Sequence, residues 1–323
     1  MLGCFQLGYC AEINLAKAVR FVSILRERER EIMLINLTSI SLLSGLGGMF
    51  GWGVYDFAAG VYAKKIGSYK TLFWSQLAGC CFIILLASLF SVDLNIPVLV
   101  IILLPIASLL YSAGYLFFMK GFEIGNISIV AAIMNLWAVF TILISFSFMG
   151  QRLSMFQFIG VLMIISGAII ASLNWSDIKN KKFQLSAGVK EAVIGAFFFG
   201  SFWNISELIS EKIGWLQATL FIKFGIILIL LLFSFFVKKD ICLTKSTKKT
   251  KLIIVLIGII EAGAIAIVNF GLTIGDAILI TPIASALSVV TILMAIIFLK
   301  EKVHKLQVVG IISVIFGIIA TGF

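Results

Sequence analysis

The sequence predicts an all-α membrane protein of ten transmembrane helices in two inverted five-helix repeats, and three observations carry that prediction. Hydrophobic residues make up 61% of the chain and charged residues only 12%, which is not the composition of a soluble domain. The apolar residues gather in ten runs, each long enough to cross the hydrocarbon core as a helix. The chain also repeats itself. From Gly121 onward it aligns without a gap to the stretch from Gly271 onward, matching Gly125 with Gly275, Thr141 with Thr291, Arg152 with Lys302, Gly160 with Gly310 and Gly167 with Gly317. Five spans per repeat is an odd number, so the second copy enters the bilayer from the opposite face and the halves are inverted.

The expected spans cover 40–63, 68–90, 97–119, 127–149, 153–174, 187–210, 215–237, 252–274, 277–299 and 303–322. They divide the chain into an N-terminal tail at 1–37, a first repeat at 38–175 and a second at 176–323. The runs lack the polar–apolar alternation of a β-barrel, and no gap between them holds a soluble domain. The start of each repeat echoes the other: AKKIGSYKTLF at Ala63–Phe73 resembles SEKIGWLQATLF at Ser210–Phe221 with one residue inserted. Gly47 and Gly51 form a GxxxG pair in span 1. Gly160/Gly167 and Gly310/Gly317 each mark one face of spans 5 and 10, as close helix packing requires. Pro105 and Pro282 are expected to kink spans 3 and 9.

The net charge of +10 does not call for nucleic acid. Lysines crowd the 1–2, 3–4, 5–6, 7–8 and 9–10 loops, whereas the loops between them carry only Arg152 and Lys212. The positive-inside rule makes the lysine-rich set cytoplasmic and turns both termini outward. The tail, with Lys17, Arg20, Arg26, Arg28 and Arg30, opposes that orientation. A true start at Met33, just before span 1, removes the conflict; an amphipathic helix lying on the surface is the alternative. The tail lacks the apolar core of a signal peptide.

Ionisable and amide groups at membrane depth are costly and face the bundle interior. Lys223 in span 7 and Glu261 in span 8 form the sharpest pair, either to bind a proton, cation or charged substrate group or to lock two helices. Gln76 stands almost at the repeat position of Lys223. Asp56 in span 1 and Glu207 in span 6 are further candidates for binding or coupling. Asn135, Asn204 and Asn269 suit either a pathway or hydrogen bonding between helices. Trp52 and Trp203, in the first helices of the two halves, suit stacking on a solute. Five cysteines and a single histidine, His304, show no metal-ligand spacing, so neither metal nor cofactor is expected. GxxxxGK[ST], HExxH, GxSxG and clustered aspartates are all missing, which argues against an ATPase or another enzyme.

The closing stretch joins small residues with Pro282, a long apolar helix, Lys300–Glu301–Lys302, then Gly310 and Gly317. Together with Gly51–Trp52–Gly53 in span 1, it resembles the drug/metabolite transporter superfamily in its two-repeat EamA form. The first copy departs from the pattern, with Gln151 in place of the usual Glu and Ala132 in place of Pro282. The resemblance, over roughly Met33 to Phe323, implies a secondary-active permease. Such a carrier works by alternating access in the cytoplasmic membrane. The buried polar residues themselves suggest a small polar metabolite as substrate and coupling to a proton or another gradient, with Glu261 as the candidate coupling residue. The resemblance also implies cytoplasmic termini, opposite to the loop charges. The alternatives are an exporter of cationic drugs, a lipid scramblase or a structural membrane protein. The expected partners are the substrate, the bilayer and a second copy of the chain, without nucleic acid.

Overall fold

A computed structural model describes residues 40, 43–90, 96–150, 152, 154–172, 185–243, 246–275 and 277–321. The chain divides into two compact units, Met1–Ile40 and Ser41–Phe323. The basic tail, the Met33 start and Gln151 lie outside the described residues. Every helix discussed below belongs to the second unit.

Apolar runs in lipid must satisfy each backbone N–H and C=O internally, and the helix does so within one segment. The helices are α1 (43–66), α2 (Ser68–Ser88), α3 (Val98–Ile124), α4 (Ile127–Met134), α5 (Leu136–Phe148) and α6 (Met155–Ser172). They continue with α7 (Val189–Ile213), α8 (Trp215–Val237), α9 (Lys248–Ile274), α10 (Ala277–Ser285), α11 (Leu287–Leu299) and α12 (Lys305–Thr321). The pairs α4/α5 and α10/α11 are each one helix broken at a single residue, Asn135 and Ala286. Among the described residues, six segments are long and apolar enough to cross a membrane: α2, α3, α4 with α5, α7, α8 and α9.

The duplication is visible in the helix boundaries. Both α3 and α9 have 27 residues, and their first and last residues stand 150 positions apart. Gly67 and Gly214 make the sharp turns into α2 and α8, with φ of 97° and 80°, a left-handed region that a side chain would strain. The breaks in the fourth and ninth runs fall at nearly matching positions. The first break has no proline near it, so Pro282 is not their common cause. The expected kink at Pro105 does not interrupt α3, which runs through it.

Small residues bring the backbones together. Helices α6 and α12 pack antiparallel and so closely that a Cβ on Gly167 would lie 2.6 Å from the Gly310 carbonyl oxygen and one on Gly317 2.7 Å from that of Gly160. In α2 and α9, Gly79 and Gly258 let the two backbones touch. The GxxxG pair of α1 packs Gly51 on Ala264 and Gly47 on Ile267, so these glycines serve contact with α9. The outer surface is apolar, with Phe148, Phe235 and Phe236 all more than 70% exposed, while the interior holds Gln76, Lys223, Glu261 and Asn269 at 0%. This inversion of the soluble pattern suits lipid outside and polar contacts within.

Carboxylates close two helix starts. Glu301 accepts from the Ile127 and Ser128 amides, both at 3.0 Å, and from Ser128 Oγ at 2.9 Å, thereby capping α4. Lys64 Nζ lies 3.8 Å from the same carboxylate. Glu207 Oε1 accepts from the Ala277 amide at 2.9 Å at the start of α10, the repeat position of α4.

Two predictions follow from this packing. Gly258→Ala drives a methyl into the Ser75 carbonyl and lowers stability by about 1–3 kcal/mol, whereas Gly263→Ala on the same helix, with nothing within 4 Å, keeps or raises it; thermal unfolding of the two purified variants checks the contrast. Glu301→Ala removes the acceptor of the Ile127 and Ser128 amides, leaving the Asn126 cap on Ile129, and costs about 1–2 kcal/mol. Lys64→Ala, at a partly exposed pair, changes the same midpoint by less than about 1 kcal/mol.

Candidate functional site

The deepest polar cluster joins four helices. Lys223 from α8 forms an ion pair with Glu261 Oε2 from α9, and both side chains are wholly buried. Lys223 Nζ also donates to Gln76 Oε1 of α2 at 2.7 Å and lies 5.4 Å from the centre of the Tyr111 ring. Tyr111 of α3 donates its hydroxyl proton to Glu261 Oε1. Each charge thus has an opposite charge and a further hydrogen bond, the condition under which a buried pair is tolerated. Beside them Tyr55 of α1 bonds Ser75 Oγ at 3.1 Å.

These contacts have a symmetry that residue types alone do not suggest. Gln76 and Lys223 each stand nine residues past their turn glycines, Gly67 and Gly214. Tyr111 and Glu261 stand 150 residues apart, at matching positions of α3 and α9. The Gln76–Lys223 and Tyr111–Glu261 hydrogen bonds therefore each link a residue to its own repeat mate, while the ion pair joins Lys223 to Glu261 within the second half. Mates can touch only where the axis relating the two halves passes between them, so the cluster lies on that axis.

A second group surrounds Asp56. Trp52, Asp56, Tyr115, Trp137, Phe199 and Trp203 line a small cavity of about 20 Å³, with Phe118, Met134 and Leu287 completing the wall. The Trp52 and Trp203 rings lie 5.2 Å apart, Trp137 and Trp203 6.0 Å, and Tyr115 and Phe199 4.8 Å. Asp56 is 2% exposed and makes no ion pair among the described residues. Asp56 Oδ1 and the indole N–H groups of Trp52 and Trp203 have no protein hydrogen-bond partner. Tyr115 connects the two groups, since it lines this cavity and its ring lies 4.9 Å from that of Tyr111.

The remaining candidates hold helices together. Asn204 accepts from Ser145 Oγ at 2.6 Å and donates to the Gly200 and Thr141 carbonyls. Asn269 accepts from Ser206 Oγ at 2.9 Å and donates to Thr219 Oγ1 at 2.8 Å, tying α9 to α7 and α8. Asn135 donates to Ser288 Oγ at 2.6 Å, joining the two helix breaks. Glu207 is the α10 cap. The structure thus brings Lys223, Glu261 and Gln76 together, places Asp56, Trp52 and Trp203 together nearby, and sets the three asparagines and Glu207 at helix contacts. Sequence reasoning missed Tyr111, Tyr55 and Tyr115, although the 150-residue offset already aligned Tyr111 with Glu261.

Another hollow, of about 690 Å³, lies apart from both groups, between α2 and α9 on the side bearing Leu77, Phe82, Leu85, Ile254 and Val255. Lys251 at its rim is its one charged residue. No cluster of His, Cys, Asp and Glu among the described residues could hold a metal ion.

Comparison with known proteins agrees with this architecture. No curated protein matches the chain. Among the matching chains of solved structures, one crystal structure superposes with a TM-score of 0.67 at 15% identity, covering 87% of this chain and 96% of its own, a likeness of fold alone. A model of the EamA-like transporter family matches residues 39–173 and 186–323, one match for each half. With buried polar groups, an apolar exterior and both halves matched, the chain is an integral membrane protein that belongs to the EamA-like transporter family.

Proposed function

We infer that the protein is a secondary-active carrier of a small polar metabolite in the cytoplasmic membrane. Its ten helices form two inverted five-helix repeats that rearrange by alternating access. The observation that carries this reading is the pairing of repeat mates, Gln76 with Lys223 and Tyr111 with Glu261. In an inverted-repeat carrier the inward- and outward-facing states exchange the conformations of the two halves around a central site. A contact between mates is its own counterpart under that exchange and persists in both states. The cluster is then the pivot.

Contacts away from the axis have no such protection. Glu301 caps α4 in one half, and Glu207 caps the matching α10 in the other. In this reading the two caps close opposite faces, and each opens when the other holds. Energy comes from a proton or other small-molecule gradient. Glu261 is the coupling group: losing its charge frees Lys223 and loosens the pivot. The aromatic cavity beside the pivot receives the solute.

Purified protein in proteoliposomes, given an imposed pH gradient or membrane potential and a panel of labelled metabolites, should accumulate at least one of them. Glu261→Gln, with its hydrogen bonds largely kept, should lower that accumulation about tenfold or more while thermal unfolding shows an intact fold. Wild-type accumulation by a folded Glu261→Gln protein would remove the coupling role, and no gradient-driven flux of any solute would remove the carrier reading. Lys223→Ala strands a buried carboxylate and should cost about 3–5 kcal/mol of stability, much of it recovered in Lys223→Met/Glu261→Leu; the unfolding midpoints of the single and double variants report the difference.

A further inference from the structure

A carboxylate buried in a membrane protein needs a cation, a proton or several donors, because an unpaired charge out of water is very costly. Glu261 has Lys223 and the Tyr111 hydroxyl. Asp56 has neither: it is 2% exposed, forms no ion pair among the described residues, and its Oδ1 has no protein partner. Around it the cavity presents the rings of Trp52, Tyr115, Trp137, Phe199 and Trp203. Aromatic faces attract cations, tryptophan most strongly, and the attraction grows as water is excluded. A lone carboxylate within a wall of aromatic rings is chemistry that suits a positive charge bearing N–H donors.

We propose that this enclosure binds the ammonium head of an organic amine, with Asp56 accepting its hydrogen bonds and Trp52, Trp137 and Trp203 facing its charge. The proposal rests on the carrier reading and names its substrate class as amine-bearing. The cavity of about 20 Å³ has room for one water-sized group. A primary ammonium head has that size. The rest of the molecule enters only when the surrounding helices part, which is the movement a carrier makes. A proton competes for the same carboxylate, so binding the amine displaces the proton that otherwise neutralises Asp56. That exchange provides antiport chemistry without a second site.

The test uses the full-length protein in detergent and reads equilibrium binding by quenching of tryptophan fluorescence and by thermal shift. The probes are methylammonium, phenethylammonium, and the latter's neutral and anionic counterparts, 2-phenylethanol and 3-phenylpropionate. Both ammonium probes should bind saturably and compete with each other, while the alcohol and the acid should not bind. Acidification should weaken ammonium binding by up to about tenfold per pH unit, because the ionised carboxylate is the form that binds. Asp56→Asn should weaken it about tenfold or more and abolish the pH dependence, with Asp56→Glu restoring part of both. Equal binding of the alcohol, unchanged binding by Asp56→Asn, or no saturable response to either ammonium probe would overturn the proposal. If Asp56→Asn does not fold, the charge series and the pH profile of the native protein decide it. Because no transport is measured, ammonium binding can fail while gradient-driven flux persists, and the two readings fall separately.

Discussion

The structure depends on neutralising one lysine and one glutamate where there is no water. A charge in hydrocarbon finds its partner locally or does not stay charged. Lys223 and Glu261 meet that demand in each other, and Gln76 and Tyr111 complete their hydrogen bonds. The cluster draws α2, α3, α8 and α9 to one point. Two helices come from each half, so the same contacts that hold the charges hold the repeats together. Two of the bonds, Gln76–Lys223 and Tyr111–Glu261, join a residue to its own duplicate, and equal positions on two copies meet only on the axis between them.

Away from this point, helices associate through shape. Lipid tails are as apolar as leucine, so burying leucine gives little gain, and close backbone approach matters more. The glycines of α6 and α12 and the Gly79–Gly258 contact supply it. The repeats have diverged where helix ends must be closed. A Cβ on Gly60 would stand only 2.9 Å from Ile127 Cδ1, so a side chain there would push Ile127 aside, while its repeat mate Glu207 caps Ala277, the counterpart of Ile127. The α4 end is closed instead by Glu301, from the other half of the chain. One architecture thus closes its two matching helix starts with different carboxylates.

Buried polar groups divide by whether the protein satisfies them. Asn204 and Asn269 spend both ends of the amide on neighbouring helices, and such bonds hold a bundle. Asp56 Oδ1 and the Trp52 and Trp203 indole N–H groups do not close on the protein, and all three residues line one cavity. Gln76 Nε2 and Asn135 Oδ1 are open as well, so what distinguishes the cavity is that three such groups gather in it. Tyr115 touches both the cavity and the ion-pair cluster.

Much of this was legible in the chain because membrane physics acts on segments. Helix length, apolar composition and duplication are local or pairwise properties of the string, so the helices, the two halves and the glycine-bearing faces of α6 and α12 could be read directly, as could the depth of Lys223 and Glu261; Asp56, within two turns of a helix end, reads as able to reach interfacial water, whereas the fold buries it. Partnership was not legible, since it depends on which helix faces which. Nothing in the residue types separates Asn269, fully bonded, from Asp56, unpaired, or shows that Glu207 sits at a helix start instead of in a pathway. The tyrosines were hidden for the same reason: Tyr111 is ordinary in an apolar run until folding sets its hydroxyl against Glu261. A sequence carries the cost of placing each group in lipid, and only the packed helices decide what offsets it, because a hydrogen bond requires two groups within about 3 Å and chain position does not set that distance.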